Sequence, residues 1–328
     1  MKKITALLLA LFMLVAALAG CGKQNDTNQT DKLSIVTTIF PEYDWVREIL
    51  GEKADNAEIT MLLDNGVDLH SYQPTADDIV KISDCDLFIY VGGESDEWVE
   101  DALRNAANRN MKVINLLEVL GDSVKTEEIV EGMQEEEHEH EDVEEHEHEE
   151  EADEHVWLSL KNAKMLVRVI SKALQELDPN NKDIYAANAD AYVKKLSALD
   201  AEYQAAADAA SNKTILFGDR FPFRYLVVDY GLRYYAAFVG CSAETEAGFE
   251  TISFLAKRVD EWKLPCVLTI EGAQHKIAET VVRNTTAKNQ RVLTMDSMQS
   301  TTSKDVKNGT TYLSVMEKNL SVLKEALR

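Results

Sequence analysis

Two histidines in this chain stand in contexts suited to holding a metal ion. His70 lies in Asp68-Leu69-His70-Ser71-Tyr72-Gln73-Pro74. Thr75 and Asp78 follow with the spacing of a capping box, so His70 is expected in a tight loop ahead of a helix. His155 lies in Asp153-Glu154-His155-Val156-Trp157-Leu158, just before a second helical stretch. Imidazole is among the commonest ligands of Zn²⁺ and related cations. A lone histidine is more often structural, but four others point the same way. Residues 131–154 hold 15 carboxylates and four histidines, namely His138, His140, His146 and His148, alternating with glutamate. An acidic run of this kind is a low-affinity binder of metal ions.

The elements that must position these residues alternate between strand and helix. Apolar, β-branched runs fall at 33–40, 59–63, 86–91 and 112–116, and again at 214–218, 233–238, 266–270 and 291–295. Amphipathic stretches at 42–50, 76–82, 98–108 and 250–262 separate them. This alternation predicts parallel sheets covered by helices, four strands in each half of the chain. The fold class is therefore α/β, with two lobes of similar build. The middle reads as helix at 160–177 and 184–210, broken by Asp178-Pro179. Residues 33–183 form the expected first lobe, carrying the acidic loop, 184–210 a rigid linker helix, and 211–328 the second lobe. Ligands of open α/β sheets gather beyond the carboxyl ends of the strands. His70, Asp219, Glu271 and Asp296 each follow a strand in this way.

Composition narrows the function classes. A net charge of −24 argues against nucleic acid as a partner, since no basic stripe faces phosphates. Removing the 15 carboxylates of 131–154 from that total leaves an unremarkable −9. Lys2 and Lys3 precede an apolar run over 4–19, shorter than the roughly 20 residues that span a bilayer. This start reads as a secretory signal over 1–20, followed by a polar tether over 21–32 that has too little apolar surface for a core. Leu18-Ala19-Gly20-Cys21 resembles the lipobox of bacterial lipoproteins. That resemblance implies cleavage before Cys21, lipid on its thiol, and a place on the outer face of a Gram-positive-type cell membrane. Cys85, Cys241 and Cys266 remain, with no CxxC spacing to suggest a thiolate zinc site or a redox pair.

The Asp-x-His-x-Tyr-x-Pro-x-x-x-Asp run at 68–78 is similar to the first signature of the cluster A-I (cluster 9) metal-binding proteins of ABC importers. Asp153-x-His155-x-Trp157 resembles the second, and the acidic histidine loop resembles that of the zinc-specific members. Tyr230-Gly231-Leu232 and Thr294-Met295-Asp296-Ser297 also fall at family positions. The resemblance implies two α/β lobes joined by a rigid helix, an ion in the cleft between them, and delivery to a permease with its ATPase. It implies a binding protein, not an enzyme, and the chain has no HExxH run. A surface adhesin and a zinc-dependent enzyme are the rival classes.

The family's third ligand falls on Arg220, where zinc members carry histidine and manganese members glutamate. Arginine has no lone pair to give, so it is expected to pair with a carboxylate instead. Either water completes a site of three protein ligands, or a substitute has appeared; the substitute is expected to be His275, with Asp219, Glu244 and Glu271 as competitors. The expected set is thus His70, His155, His275 and Asp296. Imidazoles with a single carboxylate favour Zn²⁺, with Mn²⁺ the runner-up.

Overall fold

The computed structural model describes residues 32–134, 151–242, 246–272 and 275–328. The expected signal over 1–20, Cys21, His138, His140, His146 and His148 lie outside the described residues, as does Glu244. In the first half, β1 (Leu33–Thr37) runs into α1 (Phe40–Leu50), then β2 (Ala57–Met61), α2 (Ala76–Asp84), β3 (Leu87–Tyr90), α3 (Trp98–Arg104), β4 (Lys112–Asn115) and α4 (Leu116–Leu120). All four strands pair in parallel in the order β2-β1-β3-β4. The β3 residues Leu87, Phe88 and Ile89 are fully buried, as a strand covered on both faces requires.

Two helices follow, α5 (Leu160–Leu177) and α6 (Lys182–Ala209). Ser159 caps α5, its side chain accepting from Asn162 N. Pro179 breaks the chain before the 28-residue α6 begins. Tyr185, Ala189, Tyr192, Leu196, Leu199, Tyr203 and Ala207 recur at three- and four-residue spacing along its buried stripe. That stripe packs on α5 and α1. Asn188 Nδ2 donates to Ile49 O at 2.9 Å, and Tyr203 Oη donates to Met316 O at 2.6 Å. The helix therefore touches elements of both halves of the chain.

The second half supplies β5 (Thr214–Leu216), β6 (Arg220–Phe221), α7 (Arg224–Tyr230), β7 (Arg233–Tyr235), β8 (Phe238–Val239), α8 (Phe249–Trp262), β9 (Cys266–Thr269), α9 (Lys276–Asn284), β10 (Arg291–Thr294), α10 (Ser303–Lys307) and α11 (Tyr312–Ala326). β5 pairs with β7 and β9 with β10, again in parallel. Among the described residues a parallel bridge, Phe217 to Leu268, joins the two pairs. The resulting order, β7-β5-β9-β10, repeats the second-first-third-fourth arrangement of the first sheet.

Two differences from the sequence reading matter for the site. The run 233–238 is not one strand but two, β7 and β8, parted at Ala236-Ala237. β8 pairs with the short β6 in the register Arg220 to Phe238 and Phe221 to Val239. Likewise, α11 does not belong to the second half alone. Tyr312 N donates to Asp44 Oδ2 of α1 at 2.9 Å, and its ring meets Trp45 edge-on at 5.2 Å.

Candidate metal centre

His70 is held by the turn it stands in. Leu69–Ser71 forms a single 3-10 turn between β2 and α2, and Leu69 is buried beneath it. Asp68 caps this turn, Oδ1 accepting from His70 N at 3.1 Å. Behind it, Thr75 and Asp78 close the capping box of α2, and Tyr72 Oη donates to Asp78 Oδ2 at 3.0 Å. These bonds fix the ring's exit direction from both sides.

His155 is held by a matching device. Asp153 Oδ1 accepts from His155 N at 2.9 Å and lies 3.0 Å from Nδ1 of the same ring. Trp157 anchors the following turn: its ring is fully buried and Nε1 donates to Ser297 O at 2.8 Å. Tyr225 Oη reaches from α7 to donate to Asp153 O at 2.8 Å. Gly240 leaves the space for this ring, since a Cβ there would stand 2.9 Å from His155 Cε1.

The two rings meet through their outer nitrogens. His70 Nε2 and His155 Nε2 are 3.3 Å apart. Each Nδ1 has its own partner: Ser95 Oγ at 2.8 Å for His70 and Asp153 for His155. Glu154 adds a second carboxylate, with Oε2 3.5 Å from His70 Nδ1. Ser95 N donates to its other oxygen, Oε1, at 3.0 Å, while the buried Oε2 has no hydrogen-bond partner among the described residues. Burial, the neighbouring His155 and Arg220 hold His70 down to about 3, against the opposing pull of Asp68. Burial also works against charge on His155, but Asp153, Glu154 and Glu127 outweigh it and hold that ring above the usual histidine range. His155 is wholly enclosed, whereas the His70 side chain keeps 14% of its surface exposed and forms the open edge of the pair.

A third side chain joins them that the sequence reading did not select. Among the described residues, His70, His155 and Cys241 each offer a ligand atom, and these atoms lie within 4.8 Å of one another. Cys241 follows β8 by two residues, and its N donates to Glu127 Oε1 at 3.1 Å. Among the described residues its thiol is in no disulfide, and neither are those of Cys85 and Cys266. Burial pushes the Cys241 thiol up, with Glu127 and Asp153 adding to it. A bound dication is what would displace that proton.

The remaining candidates lie in other contacts. Arg220 donates through Nη2 to Asp68 Oδ2 at 2.8 Å and through Nη1 to Ser242 O at 3.2 Å. Burial opposes ionisation of Asp68, yet Arg220 and His70 keep its carboxyl below the usual range. His275 does not join the group of three: its Nδ1 lies 3.1 Å from Thr269 Oγ1 at the start of α9. Asp219 accepts from Ile270 N at 3.3 Å and from Arg220 N at 2.9 Å. Glu271 braces the loop after β10, accepting from Ser297 N at 2.6 Å and Gln299 N at 3.1 Å. Asp296 is part of that loop, Oδ1 accepting from Met298 N at 2.8 Å; burial and the neighbouring Glu271 raise its carboxyl to about 6. The signal that could have found Cys241 is the loss of a lone pair at Arg220, combined with a cysteine just past the end of an apolar run.

Comparison with known proteins identifies the family. Residues 35–326 match the family described as zinc-uptake complex component A, periplasmic (ZnuA). The chain is 34% identical to the zinc-binding lipoprotein AdcA of Streptococcus pneumoniae, over 99% of this chain but 61% of that longer protein. It is 32% identical to the high-affinity zinc uptake system protein ZnuA of Bacillus subtilis, over 97% of this chain and 95% of that one. The solved Zn(II)-bound ZnuA-like domain of the pneumococcal AdcA superposes with a TM-score of 0.69 at 29% identity, covering 90% of this chain and 99% of that domain. Matched from its first strand to its last helix, the chain belongs to the ZnuA family.

Proposed function

We propose that this protein captures Zn²⁺ between His70 and His155 and hands it to the permease and ATPase of an ABC importer. The observation that carries this reading is the 3.3 Å separation of the two Nε2 atoms. Zn–N bonds of about 2.0–2.1 Å at a tetrahedral angle put two ligand nitrogens about 3.3–3.4 Å apart. The rings therefore already stand at the separation of two corners of a zinc tetrahedron. Each Nδ1 has an outer partner, which leaves Nε2 facing inward with its lone pair, as ligating histidines require.

The names of the pneumococcal and Bacillus relatives support zinc as the cargo. Two imidazoles favour it over manganese, which prefers more oxygen. Neither His275 nor Asp296 enters this donor set. The protein acts as a binding subunit, not an enzyme: the ion is cargo and leaves by the open His70 edge. α6 serves as the spine between a first lobe, 33–183, and a second lobe, 211–328. Lipid on Cys21 tethers the chain to the outer face of the membrane, and the acidic histidine run of 131–154 raises the local concentration of metal ions.

The test is a chelator-competition titration of zinc on the chain carrying Cys21→Ser, so that it is not lipidated. One tight site is expected, weakened about a hundredfold or more by His70→Ala or by His155→Ala. Replacing His138, His140, His146 and His148 together with alanine is expected to leave it intact. A tight site indifferent to both His70 and His155 would overturn the reading.

A further inference from the structure

We propose that Cys241 supplies the third zinc donor, as a thiolate, in place of the imidazole that the family pattern puts at position 220. The inference rests on the reading of His70 and His155 as zinc ligands. Three observations carry it. The donor atoms of His70, His155 and Cys241 already lie within 4.8 Å of one another. A tetrahedral site with Zn–N bonds near 2.0–2.1 Å and a Zn–S bond near 2.3 Å needs N to S separations of about 3.5 Å. The separations present, none above 4.8 Å, bracket that value.

The second observation is how β6 and β8 deliver the cysteine. Their register sets Arg220 against Phe238, so the chain leaving β8 passes Gly240 and reaches Cys241 beside the histidine pair. Gly240 is the residue whose missing Cβ lets this strand end approach His155. The third is the direction of Arg220. Its guanidinium turns toward Asp68, two residues before His70, and toward the carbonyl of Ser242, one residue after Cys241. Arg220 is thus a positioning residue that ties the His70 turn to the Cys241 turn.

On binding, the Cys241 S–H bond breaks, its electron pair becomes the bond to zinc, and the proton leaves to solvent. No electron is transferred. The thiolate lowers the charge of the bound dication by one, and the carboxylates of Asp153 and Glu154 stand behind the two rings to balance the rest. A thiolate donor selects soft and borderline cations such as zinc, cobalt and cadmium, and rejects manganese. Cys241 is therefore the residue that sets metal selectivity in this chain.

The test uses Co²⁺ as a probe on the chain carrying Cys21→Ser, kept reduced with a phosphine. The acidic loop has no cysteine, so only a cysteine ligand can give sulfur-to-cobalt charge-transfer absorption in the near ultraviolet. That band is expected with one equivalent of cobalt, and is expected to vanish in Cys241→Ser. Zinc affinity in Cys241→Ser is expected to fall about a hundredfold, and Cys241→His is expected to restore affinity without the band. Unchanged thermal melting of the metal-free variants checks that they fold. A tight cobalt site that needs both histidines but gives no such band would overturn the thiolate and leave the histidine reading standing. A tight site independent of the histidines, or no tight site at all, would overturn both.

Discussion

In the first sheet the chain leaves β1 through Thr38 and turns at once into α1. In the second it leaves β5 through Phe217 and Gly218 and runs on into β6 before any helix begins. The two points are equivalent: Thr38 N donates to Ile89 O on β3, and Gly218 N donates to Leu268 O on β9. At Thr38 the turn is closed by Glu42, whose Oε2 accepts from Thr38 N at 2.9 Å and Ile39 N at 3.3 Å. At Gly218 the backbone of α9 presses so close that a Cβ would stand 2.5 Å from Ala278 Cα. The five residues from Asp219 to Phe223 then intervene, and they carry Arg220. Two sheets of one topology thus present different surfaces. The regular one offers His70 from the loop after β2. The interrupted one sends out the β6–β8 pair, which brings Arg220 and Cys241 to the same place.

Substitutions along this corner separate the two designs. The largest expected effect is on stability. Gly218→Val drives a side chain into the α9 backbone, which cannot swing aside, and is expected to lower unfolding free energy by about 3 kcal/mol in urea. Thr38→Val at the equivalent point of the first sheet is expected to cost less, about 1 kcal/mol, because no backbone is displaced and the loss is the Thr38 Oγ1 bond to Glu42 Oε2. Equal losses would mean that the tight packing at Gly218 does not distinguish the second sheet. Next comes Arg220→Ala, which frees the His70 turn from the Cys241 turn. A drop in zinc affinity of about tenfold is expected, with the fold retained, equivalent to about 1.4 kcal/mol. Arg220→Lys is expected to recover only part of it, since one ammonium cannot span Asp68 and Ser242 as the guanidinium does. An unchanged affinity in Arg220→Ala would remove the clamp from the account. The smallest effect is expected at His275→Ala, less than about threefold on zinc affinity, because its ring is engaged with Thr269 at the start of α9.

Much of this architecture was legible in the sequence, for physical reasons. Eight strand positions follow from apolar runs between helical stretches, most strongly at β3, β5 and β9, which are buried along most of their length and so must be apolar. α5 and α6 follow from long periodic stretches parted by a proline. His70 and His155 stand out because capping residues and acidic neighbours surround them in the chain itself. β6 and β8 were not legible, since two-residue strands have no periodicity to detect. Cys241 was missed for a related reason. Its neighbours in the fold, His70 and His155, are far away in sequence, and the chain leaving the β6–β8 pair reaches them through contacts that sequence does not display. His275 drew attention as the remaining histidine near a strand end, but proximity to a strand end does not say which way a ring faces. The division of 33–328 was also hard to read, because α11 packs against α1 as well as against β9 and β10.

The most direct measurement is anomalous diffraction at the zinc absorption edge, from crystals of the chain loaded with one equivalent of zinc. The expected result is one strong peak about 2.0–2.1 Å from Nε2 of both His70 and His155. A peak beside His275 or Asp296, with none between the two histidine rings, would contradict the account.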